Sequence, residues 1–301
     1  MKKTRNLWMG SALLVAVLAT PAQAKEDRDV NQRVPADANG EVVVNNVTGS
    51  VTVEAWDKAE VEVTGTIDAD VRRLDIGREG NRVAIKVVLP GEGARRDSDA
   101  DLTIRVPRAS SLDVTTASAD IAVRDVAGAL RLKSVSGEIE ARGVAQDGEF
   151  KSVSGDIRVV AAAAPARVTA YSVSGSLVVD DLSGELEATT VSGDMLLDLG
   201  TLTNVRLRST SGDARLGGRL AKNARVEFES VSGDLSAKLA AEAGYSAEVD
   251  TFSGTLTNCF GVRSEPVSKY GPGERMSLAR GEGGARIRAK TMSGDVRICD
   301  R

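Results

Sequence analysis

The sequence predicts an all-β protein, a parallel β-helix or closely similar β-solenoid with 18–21-residue rungs and an irregular β-rich N-terminal cap. Three observations predict it. First, SVSGD or a near copy recurs, with its glycine at Gly137, Gly155, Gly175, Gly193, Gly212, Gly233, Gly254 and Gly294, and with Ala119 in that slot of a degenerate first copy. The steps are 18, 18, 20, 18, 19, 21, 21 and 40 residues, and a fixed period of this size marks stacked units that bury their apolar faces against one another. Second, the residues after each glycine alternate, as in Asp156-Ile157-Arg158-Val159 and Asp295-Val296-Arg297-Ile298, which is a strand with one buried face. Third, helical spacing of apolar residues is scarce after residue 24.

The first element is an export signal over residues 1–24. Lys2, Lys3 and Arg5 precede an apolar stretch from Leu7 to Ala19, and Ala22-Gln23-Ala24 follows Pro21 as a cleavage site. The stretch is 13 residues long, short of the ~20 that span a bilayer, so no transmembrane segment is expected after cleavage. Removing the three basic residues from 39, against 43 acidic ones, takes the net charge from −4 to −7. An acidic exported chain is a poor partner for nucleic acid or anionic lipid. The chain ends directly after its last repeat, with no outer-membrane barrel following, so the expected location is the periplasm, with the cell surface or the medium as alternatives.

The second element is residues 25–108, β-rich but irregular. VVVNNVTGSVTVEAW, AEVEVTGTI, RVAIKVVLP and DLTIRVP read as separate strands, and Asn45-Asn46-Val47-Thr48-Gly49 resembles a further corner motif. Residues 91–98 read as a loop. The segment is expected to cap the first coil, because a bare strand edge invites aggregation; a separate β-sandwich is the competing arrangement.

The third element is the repeat region with its C-terminal cap, residues 109–301. Each rung holds two short strands, the second leading into the next SVSG. The glycine suits a tight corner needing a backbone angle only Gly adopts cheaply. Hydroxyls before it can satisfy turn backbone groups. Gly273 lies near the middle of the 40-residue step and is expected to mark an eroded copy. Ile139, Val159, Leu177, Leu197, Leu216 and Leu235 point inward, with Phe150, Phe228 and Phe252 beside them. The pattern suits either hand.

At this point the chain resembles a family of exported bacterial β-repeat proteins carrying an adhesin label. The resemblance rests on the SVSGD repeats, on VNNVTGSVTVEAWDKAEVEVTG at 44–65 and on GGARIRAKTMSGDVRIC at 283–299. It implies a β-solenoid and leaves the biochemical role open, since the label follows architecture.

Little in the composition suggests catalysis. With no histidine in the chain, Ser-His-Asp and Cys-His chemistry and most zinc sites drop out. The glycine-rich turns at 77–80 and 281–284 read as hairpins. The slot after the corner glycine holds Asp120, Glu138, Asp156, Ser176, Asp194, Asp213, Asp234, Thr255 and Asp295, aligning carboxylates on one edge. Arg158, Arg215 and Arg297, two residues beyond their own acids, can compensate them. Exposed charges about 4 Å apart repel by only about 1 kcal/mol in water, so a solvated ladder is expected, with no metal, no cofactor and no catalytic residue. Paired carboxylates leave a glycosidase or lyase as the alternative, but aromatics are only 3% of the chain, too few for a long sugar-stacking platform.

Cys259 and Cys299 stand five residues after Gly254 and Gly294. With a full coil between them they are ~9.6 Å apart, beyond the ~7 Å limit for a disulfide. With the intervening residues looped out and a hairpin following, they are neighbours. Export and even count favour the bond. The function expected is an adhesin-like or scaffold surface for an envelope protein or polysaccharide.

Overall fold

The computed structural model describes residues 27–90, 98–269, 271–282 and 284–300. The export signal and the 91–97 part of the expected loop lie outside the described residues. All regular structure among the described residues is β, in a β-solenoid-like stack from Arg28–Pro35 to Val296–Cys299.

One unit shows the plan. Leu130–Lys133 enters the SVSG corner, Ile139–Val144 leaves it, and a second turn leads to Gly148–Lys151 above the start. Leu130 lies between Leu112 and Gly148, and Ile139 between Ile121 and Ile157, all in parallel pairing. Two parallel ladders result. They join where Met195–Ser211 and Ala214–Ser232 run unbroken round the second turn. The period-2 pattern puts alternate side chains of both ladders into one apolar interior. Ile139, Val159, Leu177, Leu197, Leu216 and Leu235 are all buried, as are Phe150 and Phe228.

Phe252 departs from expectation: it is 57% exposed. Phe150 and Phe228 stand two residues before the first hydroxyl of their corners, whereas Phe252 follows Thr251 and occupies the second corner position, which faces solvent.

The order of the stack also departs from the order of the sequence. Ala214–Ser232 and Leu235–Ala241 pair with Ala285–Ser293 and Val296–Cys299, and these in turn pair with Gly244–Ser253 and Leu256–Asn258. The last rung is therefore inserted beneath the one that precedes it in sequence. Gly273 marks no coil. It leads into Glu274–Gly281, which runs antiparallel along the outer edge of Gly244–Ser253.

The N-terminal end mirrors this. Glu41–Asn45 and Gly49–Trp56 lie between the strands Arg82–Val88 and Ala100–Pro107 on one side and Ser111–Thr115 and Asp120–Arg124 on the other. Arg73–Glu79, Glu60–Ile67 and Arg28–Pro35 then close the end antiparallel.

Candidate functional site

The SVSGD corners stack into one continuous edge, within which the glycine, the first hydroxyl and the acid of the motif are engaged. A β-carbon added to Gly137, Gly155, Gly175 or Gly193 would stand 2.0–2.1 Å from the backbone oxygen of the preceding corner. These four are not positive-φ glycines, so their requirement is the close approach of neighbouring rungs and not the backbone angle the sequence suggested. Gly212 and Gly233 combine both demands, with φ of 128° and 143°. Gly294 stands against Gly233, and Gly254 against Gly294, so the glycine line follows the rearranged order.

The first hydroxyl of each motif is buried and turned back on its own corner. Ser134, Ser152, Ser172 and Thr190 accept the N–H of Gly137, Gly155, Gly175 and Gly193 at 2.8–2.9 Å. In the later corners the geometry changes: Ser209 donates to the Gly212 carbonyl at 3.4 Å, while the Ser230 and Thr291 hydroxyls are buried without a partner.

The acids form a ladder with the backbone. The Asp120 carboxylate accepts the N–H of Glu138, Asp156 that of Ser176, Asp194 that of Asp213, and Asp213 that of Asp234, at 2.8–3.0 Å. Asp234 and Asp295 continue it to Asp295 and Thr255 at 2.7 Å. Each carboxylate thus caps the next rung, which is the work of a short acceptor in a turn. No group of three or more acids or cysteines gathers as a metal site among the described residues. Arg158 does not serve Asp156 beside it; it reaches Asp180, 2.7 Å away.

The second residue of each corner is apolar in every rung but one, where it is Thr210, and it turns outward. Along the stack this position runs through Val47, Ala117, Val135, Val153 and Val173, then Val191, Thr210, Val231, Met292 and Phe252. Backbone bonds fix the alignment: the Val135, Val153, Val173 and Val191 carbonyls each accept the N–H of the second serine of the next corner at 2.8–2.9 Å. Val135, Val153, Val231, Met292 and Phe252 are 43–59% exposed. Sequence reasoning missed this ridge. Its signal was an apolar residue returning inside an otherwise polar turn.

The outer face of the first ladder alternates in charge across rungs. Arg131 bridges Asp113 and Glu149 at 3.3 and 3.1 Å, and Arg206 with Glu227 and Arg288 with Glu248 continue the pattern. Hydrogen bonds from Lys151 and Arg131 hold the Glu149 carboxyl below the usual range. At the N-terminal end Glu62 is buried between Arg33 and Arg105, and the hydrogen bond from Arg33 holds its carboxyl low. A groove of about 510 Å³ along Asp113, Arg131 and Glu149 is an open trough on this face.

Cys259 and Cys299 are bonded, with Cα atoms 5.0 Å apart. Their strands are adjacent because the last rung is inserted in parallel beside them, so the cysteines are neighbours as one of the two geometries weighed from sequence required, but through an inserted rung and not a hairpin. Beside this end Tyr245 is buried against Asp300, and desolvation pushes its hydroxyl up to about 12.

The Toastrack DUF4097 family model matches residues 39–257 and 185–299. No curated protein matches the chain. Among solved structures, a "putative adhesin" from Bacteroides fragilis NCTC 9343 is 13% identical, with 92% of this chain and 98% of that one covered and a TM-score of 0.43. A "putative lipid binding protein" from Parabacteroides distasonis ATCC 8503 is 13% identical over 90% and 96%, at 0.44. A second protein from that organism, a "putative adhesin", is 10% identical over 91% and 98%, at 0.33.

Proposed function

The chain belongs to the Toastrack DUF4097 family, and from that premise we propose that it is a non-enzymatic, adhesin-like or scaffold protein of the cell envelope. The finer architecture belongs to this reading: a parallel β-helix of 18–21-residue rungs carrying one uninterrupted binding edge. Export through residues 1–24 brings it to the periplasm, with the cell surface or the medium as the other destinations that fractionation separates.

One observation carries the reading. Along the SVSG edge the glycines, the first hydroxyls and most acids are engaged in packing and hydrogen bonds within the stack, while the side chains of Val135, Val153, Val231, Met292 and Phe252 on the ridge stand 43–59% exposed. An aliphatic line rimmed by carboxylates favours a protein surface over a sugar, which stacks on aromatic rings. The carbohydrate-active alternative has less to stand on, because the aligned carboxylates accept backbone N–H groups instead of facing one another across a cleft.

The test is capture from envelope extract by the wild-type protein and by the triple variant Val153→Ser, Val231→Ser, Met292→Ser. The reading expects a protein retained by the former and lost by the latter at equal melting temperature. Equal retention by both removes the edge as the binding surface, and ridge-dependent retention of polysaccharide alone changes the partner class.

A further inference from the structure

Resting on the edge just proposed as the binding surface, we infer that one occupant of the ridge is a second copy of this chain, laid alongside in parallel about a two-fold axis running along the ridge.

Two features point there. The first is size. Ten stacked corners span roughly 43 Å at about 4.8 Å per rung, and the two ladders that meet at this edge pack about 10 Å apart. That gives a strip of roughly 430 Å² per copy, the size of a weak, reversible interface.

The second is charge. Two residues before each ridge position an outward side chain flanks it on one side, and three residues after it the acid ladder flanks it on the other. A two-fold axis along the ridge sets each rung against the same rung of its mate, so one copy's leading flank meets the other's trailing flank. The pairs then read Lys133 with Glu138, Lys151 with Asp156, Arg208 with Asp213, and Lys290 with Asp295. Where Tyr171 stands in one flank, Ser176 stands in the other, and neither is charged. Only Glu229 with Asp234 brings like charges together. None of the four opposite pairs is an ion pair within one chain; Lys151 instead leans on Glu149, and Arg208 on Glu187 and Glu229.

The antiparallel arrangement sets the acid ladder against itself, which repels along its length. The parallel one buries the aliphatic line and leaves the opposite charges on a solvated rim. There they serve orientation more than affinity.

Symmetry makes the proposal testable. In this arrangement every ridge residue meets its own counterpart, so Val135→Cys, Val153→Cys and Val231→Cys, each made separately in the full chain, should all form disulfide-linked dimers on mild oxidation. Both native cysteines are already paired, so each variant carries one new thiol. The wild type should run in light scattering at twice the chain mass. Lys133→Glu should raise the dimer dissociation constant several-fold, and adding Glu138→Lys should bring it back.

Cross-linking confined to Val173→Cys and Val191→Cys, near the middle of the ridge, would mean the antiparallel form and overturn the inference. A monomeric wild type with no cross-linking at any ridge position overturns it as well. If that monomer still loses its envelope partner in the ridge triple variant, the function proposed above stands without the second copy. If capture is also indifferent to the ridge, both fail.

Discussion

Gly155→Ala tests whether the corner glycines are there for space. The new methyl carbon would stand 2.0 Å from the Gly137 carbonyl oxygen and 2.6 Å from its carbon, where ordinary contacts begin near 3.4 Å. More than 1 Å of opening between two rungs is needed. That stretches the bonds between the two rungs, including Ser154 N–H to the Val135 carbonyl and Ile139 N–H to the Asp156 carbonyl, both 2.9 Å. Two weakened bonds cost about 1 kcal/mol each, and overpacking adds about 1–3 kcal/mol. Loss of glycine's unfolded-state freedom returns about 0.4–1 kcal/mol. The expected net destabilisation is about 2–5 kcal/mol, read as a fall in the urea midpoint. Gly77→Ala is the internal control: nothing lies within 4 Å of its added carbon, and it should stay within about 0.5 kcal/mol of wild type. If Gly155→Ala matches that control, the steric account of the corner is wrong.

Other outcomes follow from the same stack. Asp156→Ala leaves the Ser176 N–H without its side-chain acceptor and should cost about 1 kcal/mol, while Asp156→Asn keeps an acceptor oxygen and should lose less; equal midpoints for the two would remove the capping role. Cys299→Ser frees a loop closed over a separation of 40 residues, worth about 4 kcal/mol in the chain-entropy model, and hydrogen exchange should rise first in 244–258 and 285–299. Because the Tyr245 hydroxyl is raised to about 12 in the fold, its contribution is complete below its unfolded value near 10 and is lost as pH climbs from there through 12; Tyr245→Phe should flatten that alkaline limb of the melting curve. Glu62 works in the opposite direction, being held below its ordinary 4.5, so its contribution is present above 4.5 and fades as pH falls below it, and Glu62→Gln should reduce the acid sensitivity.

The repeat made the architecture legible because three local signals agreed on it: the glycine period, the alternation after each glycine, and the missing helical spacing. What sequence could not convey was order in space. Val226 is as good a neighbour for Ala247 as for Ile287, since all three carry the same phase, and only the antiparallel return of Glu274–Gly281 along the outer edge leaves a slot for the final rung. The aligned acids were visible at once, yet their use was not, because a carboxylate capping a backbone N–H and one waiting for a cation look identical in a sequence. Phe252 and Val153 were hidden for a related reason: the eye assigns apolar residues to the interior, and a corner turns one of them outward.

The interleaved ends bear on how the chain comes to be finished. Residues 285–299 follow 244–258 in the chain, yet they become an inner course, clasped on both sides by strands that precede them in sequence. Assembly cannot simply follow delivery. The stretch 244–258 has to wait unseated, or give way, until the closing stretch slips underneath it. A deletion of residues 285–299 would not shorten the column by one course; it would pull a course from within and leave its roof without a floor. Tethering Cys259 to Cys299 then works as a lock turned after the final piece is in place, so a protein with a reduced pair should still assemble while holding its last course less long.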